Sequence, residues 1–303
     1  MDLSKLQLRC GVDTFEAVAN VALDNEPQGV KNVGTRPQSK QHGKQWRYKI
    51  NIDKCGGEDS GYNLAAVMAV IDEVTKLFLA AGASELFISR FDIRFDNFAP
   101  KAYSQYYKLN QLLLSLVAYD LKIKNRYGSI DPITGELKSM CIGKNKNNER
   151  QAEYYNKILQ KPELGITARL ELRSLQRNID LLQPLNDGFA ATLAAEWFDI
   201  LSHAANKAIF KALKADINNN IVGNYDLNLN TGAAEFVAVN ALRIYDKPQA
   251  SALFAALGYD KRNGGDFFSK RPQQQIITID DVKAYIQIIK AAADSFFNGE
   301  QMF

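Results

Sequence analysis

Bulky apolar residues alternate with polar ones over residues 45–53, where Trp46, Tyr48, Ile50 and Ile52 fall on one side and Arg47, Lys49 and Asn51 on the other. Such a period of two predicts a half-buried strand, closed by Gly56-Gly57. The period lengthens over residues 62–81. There Leu64, Val67, Met68, Ile71, Val74, Leu77 and Phe78 recur at three- and four-residue steps, which predicts an amphipathic helix stopped by Gly82. Alternation returns at residues 87–96, and Pro100 separates that strand from a second helix over 103–121. Further strand-like segments lie at 137–143, around 154–158 and at 166–175. Beyond Leu181 the chain turns Ala-, Leu- and Phe-rich, at 188–215, 233–257 and 278–297. Thr278-Ile279-Asp280-Asp281 has the form of a helix start, Val282, Tyr285, Ile286, Ile289, Ala293 and Phe296 keep one helical face apolar, and Asn298-Gly299 ends it. The expected fold class is α+β: a mostly antiparallel sheet domain covered by helices over residues 1–180, then a mainly helical region over 181–303 suited to DNA binding or dimerisation. The change of composition near 180–190 marks a soft boundary: no extended Pro/Gly/Ser linker lies there, and the later helices could equally pack on the sheet domain; there is no internal repeat.

The chain has 303 residues, 46% hydrophobic and 23% charged, which suits a folded protein with a sizeable core. Lys and Arg number 37 against 34 Asp and Glu, so the net charge of +3 neither demands nor excludes a polyanionic partner. Cys10, Cys55 and Cys141 are widely spaced and odd in number, which suggests neither a disulfide framework nor a thiolate zinc site. No basic n-region with an apolar stretch follows Met1, and no run approaches the ~18 apolar residues of a membrane span, so a cytoplasmic protein without membrane contact is expected. The two histidines, His42 and His203, are far apart and lack neighbouring ligands at helical spacing, which removes H-E-x-x-H zinc enzymes and paired-histidine metal sites. No G-x-x-x-x-G-K-[ST] or G-x-G-x-x-G occurs, which argues against an ATPase or dinucleotide enzyme.

The candidate chemistry lies on two of the strands. On an extended segment, Arg90, Asp92, Arg94 and Asp96 share one face while Phe91, Ile93 and Phe95 share the other. Arg169, Glu171 and Arg173 repeat the layout opposite Ala168, Leu170 and Leu172. Such faces serve either as solvated ion pairs or, if the strands are neighbours, as a site where Asp92 and Glu171 hold one hard divalent cation and arginines hold phosphates. Between the strands, Tyr155-Asn156-Lys157 sits in a basic, polar stretch with Lys144, Lys146 and Arg150. An ammonium close to a phenol favours the phenolate, as a nucleophile for phosphoryl transfer requires; an aromatic pair packing a sheet edge is the plainer reading. Tyr245-Asp246-Lys247 has the same spacing.

In order, Ile88-Ser89-Arg90-Phe91-Asp92, Tyr155-Asn156-Lys157 and Arg169-Leu170-Glu171-Leu172-Arg173 resemble the I-x-R-x-D, Y-x-K and R-x-E-x-R signatures of rolling-circle replication initiators that lack the paired-histidine motif. That group includes filamentous-phage replication endonucleases and plasmid replication initiation factors. The resemblance covers residues 45–185 and implies a metal-dependent DNA nicking and joining enzyme. It makes Tyr155 the nucleophile, forming a 5′-phosphotyrosine and leaving a 3′-hydroxyl primer, with Tyr154 as the alternative one register away. Tyr245, after both strands, falls outside the family order. The resemblance further makes Asp92 and Glu171 ligands of Mg²⁺ or Mn²⁺, with Asp96 a weaker one. Lys157 becomes a catalytic phosphate contact, and Arg90, Arg169, Arg173, Lys144, Lys146 and Arg150 DNA contacts. Origin DNA, single-stranded at the nick, is the expected partner, with a host polymerase and helicase and a homodimer by analogy. Two other readings fit the same residues: a non-catalytic nucleic-acid-binding protein, and a phage or plasmid assembly protein.

Overall fold

A computed structural model describes residues 2–36, 43–123, 126–130, 137–143, 149–185, 188–218 and 277–299. The strands are β1 (Leu8–Ala19), β2 (Val30–Arg36), β3 (Gln45–Asn51), β4 (Leu86–Asn97), β5 (Arg126–Ile130), β6 (Leu137–Ile142), β7 (Arg150–Tyr155) and β8 (Ala168–Asp180). The described helices are α1 (Ile52–Gly56), α2 (Leu64–Ala80), α3 (Ala102–Asp120), α4 (Phe189–Ala204), α5 (Lys207–Asn218) and α6 (Ile279–Phe297), with 3₁₀ turns at Ser60–Tyr62 and Pro162–Leu164. Every strand pair is antiparallel, in the order β2-β3-β1-β4-β8-β7-β6-β5, which is the expected α+β class.

β1 is an interior strand of this order, between β3 and β4, although its sequence does not alternate cleanly. Its pairing with β4 slips between Val12 and Thr14 and again between Glu16 and Ala17. The first slip is a bulge in β1 at Asp13 that shifts its side-chain phase by one, so the inward set changes from Cys10 and Val12 to Phe15 and Ala17, whereas the second leaves Ser89 of β4 as the extra residue. The strand read over 45–53 stops at Asn51, whose side chain accepts the Lys54 amide at 3.0 Å and caps α1. Ile52 and Asp53 therefore turn onto a helix. The segment expected around 154–158 lies earlier, at Arg150–Tyr155.

One face of the sheet is apolar and carries the helices. Phe91 meets Phe189 of α4 edge to face with ring centroids 5.3 Å apart, Phe95 meets Phe198 at 6.3 Å, and Tyr48 meets Phe78 of α2 at 4.9 Å. Tyr285 of α6 donates to Asn110 Oδ1 of α3 at 3.0 Å, and Thr278 with Asp281 forms the expected capping box. The described helices after residue 180 thus share one core with the sheet, and the expected boundary near 180 falls at the end of β8. The 188–215 stretch is two helices broken at Asn206, while 233–257 lies outside the described residues. No described helix is long and apolar enough to cross a membrane.

The other face is polar and is partly roofed by α1 and the Ser60–Tyr62 turn, which approach β1 through two glycines. A Cβ on Gly61 would lie 2.3 Å from the Val12 carbonyl oxygen and 2.7 Å from Arg94 Nη2, and one on Gly11 would lie 2.5 Å from the Gly61 oxygen. Backbone atoms cannot yield as a flexible side chain can, so glycine is required for this contact. Gly61→Ala is expected to cost about 2 kcal/mol of stability by overpacking, read as a lower urea midpoint with an unchanged m-value.

Candidate active site on the polar face of the sheet

Strand order turns the separate charged stretches into one surface. β4 and β8 are neighbours, and their register sets Asp92 opposite Arg173, Arg94 opposite Glu171 and Asp96 opposite Arg169. On the far side of β8, β7 places Glu153 opposite Glu171 and Tyr155 opposite Arg169. On the far side of β4, the bulge in β1 carries Asp13. With Asp53 of α1, Tyr62 of the first 3₁₀ turn and the β7–β8 connection, these strands enclose a cleft of about 730 Å³.

The floor is an alternation of carboxylates and guanidinium groups. Asp96, fully buried, accepts from Arg169 Nε at 2.5 Å and Nη2 at 2.8 Å and from the Tyr62 hydroxyl. Asp13 accepts from Arg169 Nη1 at 2.6 Å and Arg94 Nη1 at 3.3 Å, and Arg94 also donates to Asp53 at 2.6 Å. Asp92 is held by Arg90, whose Nε lies 2.8 Å from Oδ1, and Arg173 Nε lies 3.7 Å from its Oδ2. Arg173 donates to Glu171 Oε2 at 2.5 and 3.1 Å and to Glu153 at 2.7 Å. Arg94 is 1% exposed, a burial that an ion tolerates only with partners on several sides. Burial pushes the Asp13 carboxyl up, but Arg169 and Arg94 outweigh it and hold the group well below the usual carboxylate range. At Asp92 burial prevails over Arg90 and Arg173, and the pKa is raised.

Tyr155 stands at the edge of this array. Its hydroxyl donates to Glu171 Oε1 at 2.5 Å, and Lys157 Nζ lies 3.5 Å from the phenolic oxygen. Burial, and then the Glu171 charge, push the phenol far above its ordinary pKa; burial, and then the like charge of Arg169, push the Lys157 ammonium down.

Of the expected site residues, the structure gathers Tyr155, Lys157, Asp92, Glu171, Arg90, Arg169 and Arg173 around one cleft, with Asp96 in its floor. Tyr154 lies elsewhere: one residue along β7 is the opposite face, where its ring stacks on Tyr103 of α3 at 5.4 Å among the helices. As the alternative nucleophile it is corrected by that position. The same alternation turns Arg150 away from the cleft, to pair with Glu196 of α4, which Arg177 also engages at 2.5 Å. The expected DNA contact at Arg150 is a sheet–helix ion pair. Lys144, Lys146 and Tyr245 lie outside the described residues.

Sequence reasoning missed Arg9, Asp13, Asp53, Tyr62 and Glu153, all of which line the cleft. The slip from Val12 to Thr14 hides β1 from a period-two search. Glu153 is two residues before Tyr155 and so was accessible from the alternation of β7 alone.

Asp92 and Glu171 offer the oxygen donors that Mg²⁺ or Mn²⁺ takes, yet Arg173 stands between them and Tyr155 occupies the second Glu171 oxygen. Among the described residues, no group of three or more His, Cys, Asp or Glu is disposed to hold a metal ion. As paired here, the two carboxylates do not fit a resident divalent cation. Removing the competing guanidinium should change that: Arg173→Gln is expected to bind Mn²⁺ about tenfold more tightly than wild type in an electron paramagnetic resonance titration. The Asp13 pairing should show in the acid limb of stability. Its folded pKa lies below the unfolded value, so its contribution is present above the unfolded pKa and is lost as pH falls toward the folded one. Asp13→Asn should therefore lower stability by about 3 kcal/mol at pH 7, a difference that starts to shrink only as the pH falls below the unfolded value of about 3.9, measured by urea titration at each pH.

No family model matches the chain, and no curated protein does. Among solved structures, it is similar to a rolling-circle replication initiator from Geobacillus stearothermophilus, at 14% identity and a TM-score of 0.30, over 57% of this chain and 76% of that one. It is also similar to the complex of the prokaryotic ubiquitin-like protein Pup with its ligase PafA, at 7% identity and a TM-score of 0.20, over 98% of this chain and 64% of that one.

Proposed function

We propose that the chain is a replication initiator that nicks one DNA strand through Tyr155, forming a 5′-phosphotyrosine and leaving a 3′-hydroxyl primer for rolling-circle synthesis. The observation that carries this reading is the 2.5 Å hydrogen bond from the Tyr155 hydroxyl to Glu171, with Lys157 beside the same oxygen. A buried phenol with a raised pKa holds almost no phenolate at neutral pH, so it attacks only if a base removes its proton as the bond to phosphorus forms. Glu171 is placed to accept that proton.

The phenolic oxygen then bonds to phosphorus, the bond to the 3′-oxygen breaks, and the departing oxygen is protonated from water. Charge building on the phosphoryl oxygens faces Lys157 and the Arg169 and Arg173 guanidinium groups, fixed in place before substrate arrives. The phosphotyrosyl ester retains the phosphodiester bond energy, so the strand can be rejoined. Each of these steps uses the chain's own side chains; Mg²⁺ or Mn²⁺ joins the reading only by displacing Arg173.

A non-catalytic binder or an assembly protein needs a charged groove but no phenol bonded to a carboxylate at its floor. That convergence of two adjacent strands, β7 with Tyr155 and β8 with Glu171, favours the enzyme. In assays on supercoiled DNA of the chain's own replicon, wild type is expected to give nicked circles and a protein–DNA adduct, and Tyr155→Phe neither. Tyr154→Phe should keep both, and Glu171→Gln should slow nicking by about 10²–10⁴-fold. DNA bound but never cut by wild type would transfer the reading to a binding protein.

A further inference from the structure

The cations of the cleft fall into two sets by what already holds them. Arg90, Arg94, Arg169 and Arg173 each donate to at least one carboxylate of the floor at 2.8 Å or less. Lys49, Lys54 and Lys161 are exposed and Lys157 is half-buried; none of the four pairs with a carboxylate among the described residues. The sheet order separates these lysines. Lys49 on β3 and Lys54 on α1 stand at one end, Lys157 and Lys161 follow β7 at the other, and β1, β4 and β8 lie between. Four strand spacings put the ends roughly 19 Å apart.

Arg9, beside the first pair, has a different environment. Its guanidinium lies 4.0 Å from the centre of the Tyr62 ring and 5.9 Å from that of Phe98, and its nearest described carboxylate, on exposed Asp59, is 3.9 Å away. A guanidinium seated over one aromatic ring can take a second aromatic partner, such as a base. Exposed acids, Glu58, Asp59 and Glu163, also line the mouth, but they can turn into water while a strand lies across it.

We infer that a single DNA strand crosses the cleft perpendicular to the β-strands, with backbone phosphates on Lys157 and Lys161 at one end and Lys49 and Lys54 at the other, and an unpaired base stacked on Arg9. The inference rests on the reading of the cleft as a DNA-nicking site and assigns the phosphates flanking the cleaved one to the rim lysines, leaving Arg169 and Arg173 to the cleaved phosphate itself. A floor whose charges are already matched contributes little net attraction, so the salt-dependent part of binding comes from the rim. A duplex brings no unstacked base to Arg9.

The test is fluorescence anisotropy of a labelled single-stranded origin oligonucleotide on Tyr155→Phe protein, over a series of salt concentrations. Adding Lys49→Ala, Lys54→Ala and Lys161→Ala together is expected to reduce the slope of log affinity against log salt by about 2, since each lost contact on a single strand accounts for about 0.7. Arg9→Ala should weaken binding about tenfold, and less for an oligonucleotide abasic at the stacked position. These side chains are exposed or half-exposed, and unchanged melting midpoints would show that the variants fold. An unchanged salt slope, or tighter binding of the matching duplex, overturns the inference. The nicking reading fails separately, when wild type binds the single strand yet forms no adduct; if wild type binds no single strand, both fall.

Discussion

The buried pairing of carboxylates with guanidinium groups on the polar face is the constraint on which the rest of the structure depends. Asp13, Asp92, Asp96 and Glu171 alternate with Arg90, Arg94, Arg169 and Arg173 across β1, β4 and β8. A single unpaired charge at such depth costs several kcal/mol, so each member requires the others in register. The arrangement adds little net stability compared with an apolar layer of the same size. What it supplies is a polar surface fixed in one geometry, on the same sheet whose other face is an ordinary hydrophobic core.

That rigidity is what makes the reading of Tyr155 chemically coherent. Glu171 divides its two oxygens between the phenol and Arg173, which aims one oxygen at the proton to be removed and leaves the carboxylate no freedom to rotate away. The same sharing explains why the carboxylates do not stand ready for a metal ion. On the proposed reading, the cationic charge a phosphate would meet is already built into the strands, as guanidinium groups tethered by β8.

Roofing matters as much as flooring. Tyr62 reaches Asp96 because Gly11 and Gly61 let two backbones touch, and Asp53 reaches Arg94 because Asn51 ends β3 and starts α1. These local devices convert an exposed sheet face into a cleft with its lysines left on the rim. The opposite face needs only shape: Phe91 and Phe95 against Phe189 and Phe198 seat α4 on the sheet.

The sequence by itself determined the stretches whose periodicity is undisturbed: β4 from Arg90 onward, α2, α3, α6 with its capping box, and the charged faces of β4 and β8. It also placed Tyr155 and Lys157 between those faces. It could not show β1, because the bulge at Asp13 resets the alternation, nor separate Tyr154 from Tyr155, because the strand begins and ends elsewhere than the pattern implied. Only tertiary structure decided that β4 and β8 are neighbours, that Asp13, Asp53 and Tyr62 complete their face, and that Arg150 belongs to a helix contact. The physical reason is that local patterning reports which side of a strand is wet, whereas pairing partners, register and the matching of buried charges depend on residues far apart in the chain.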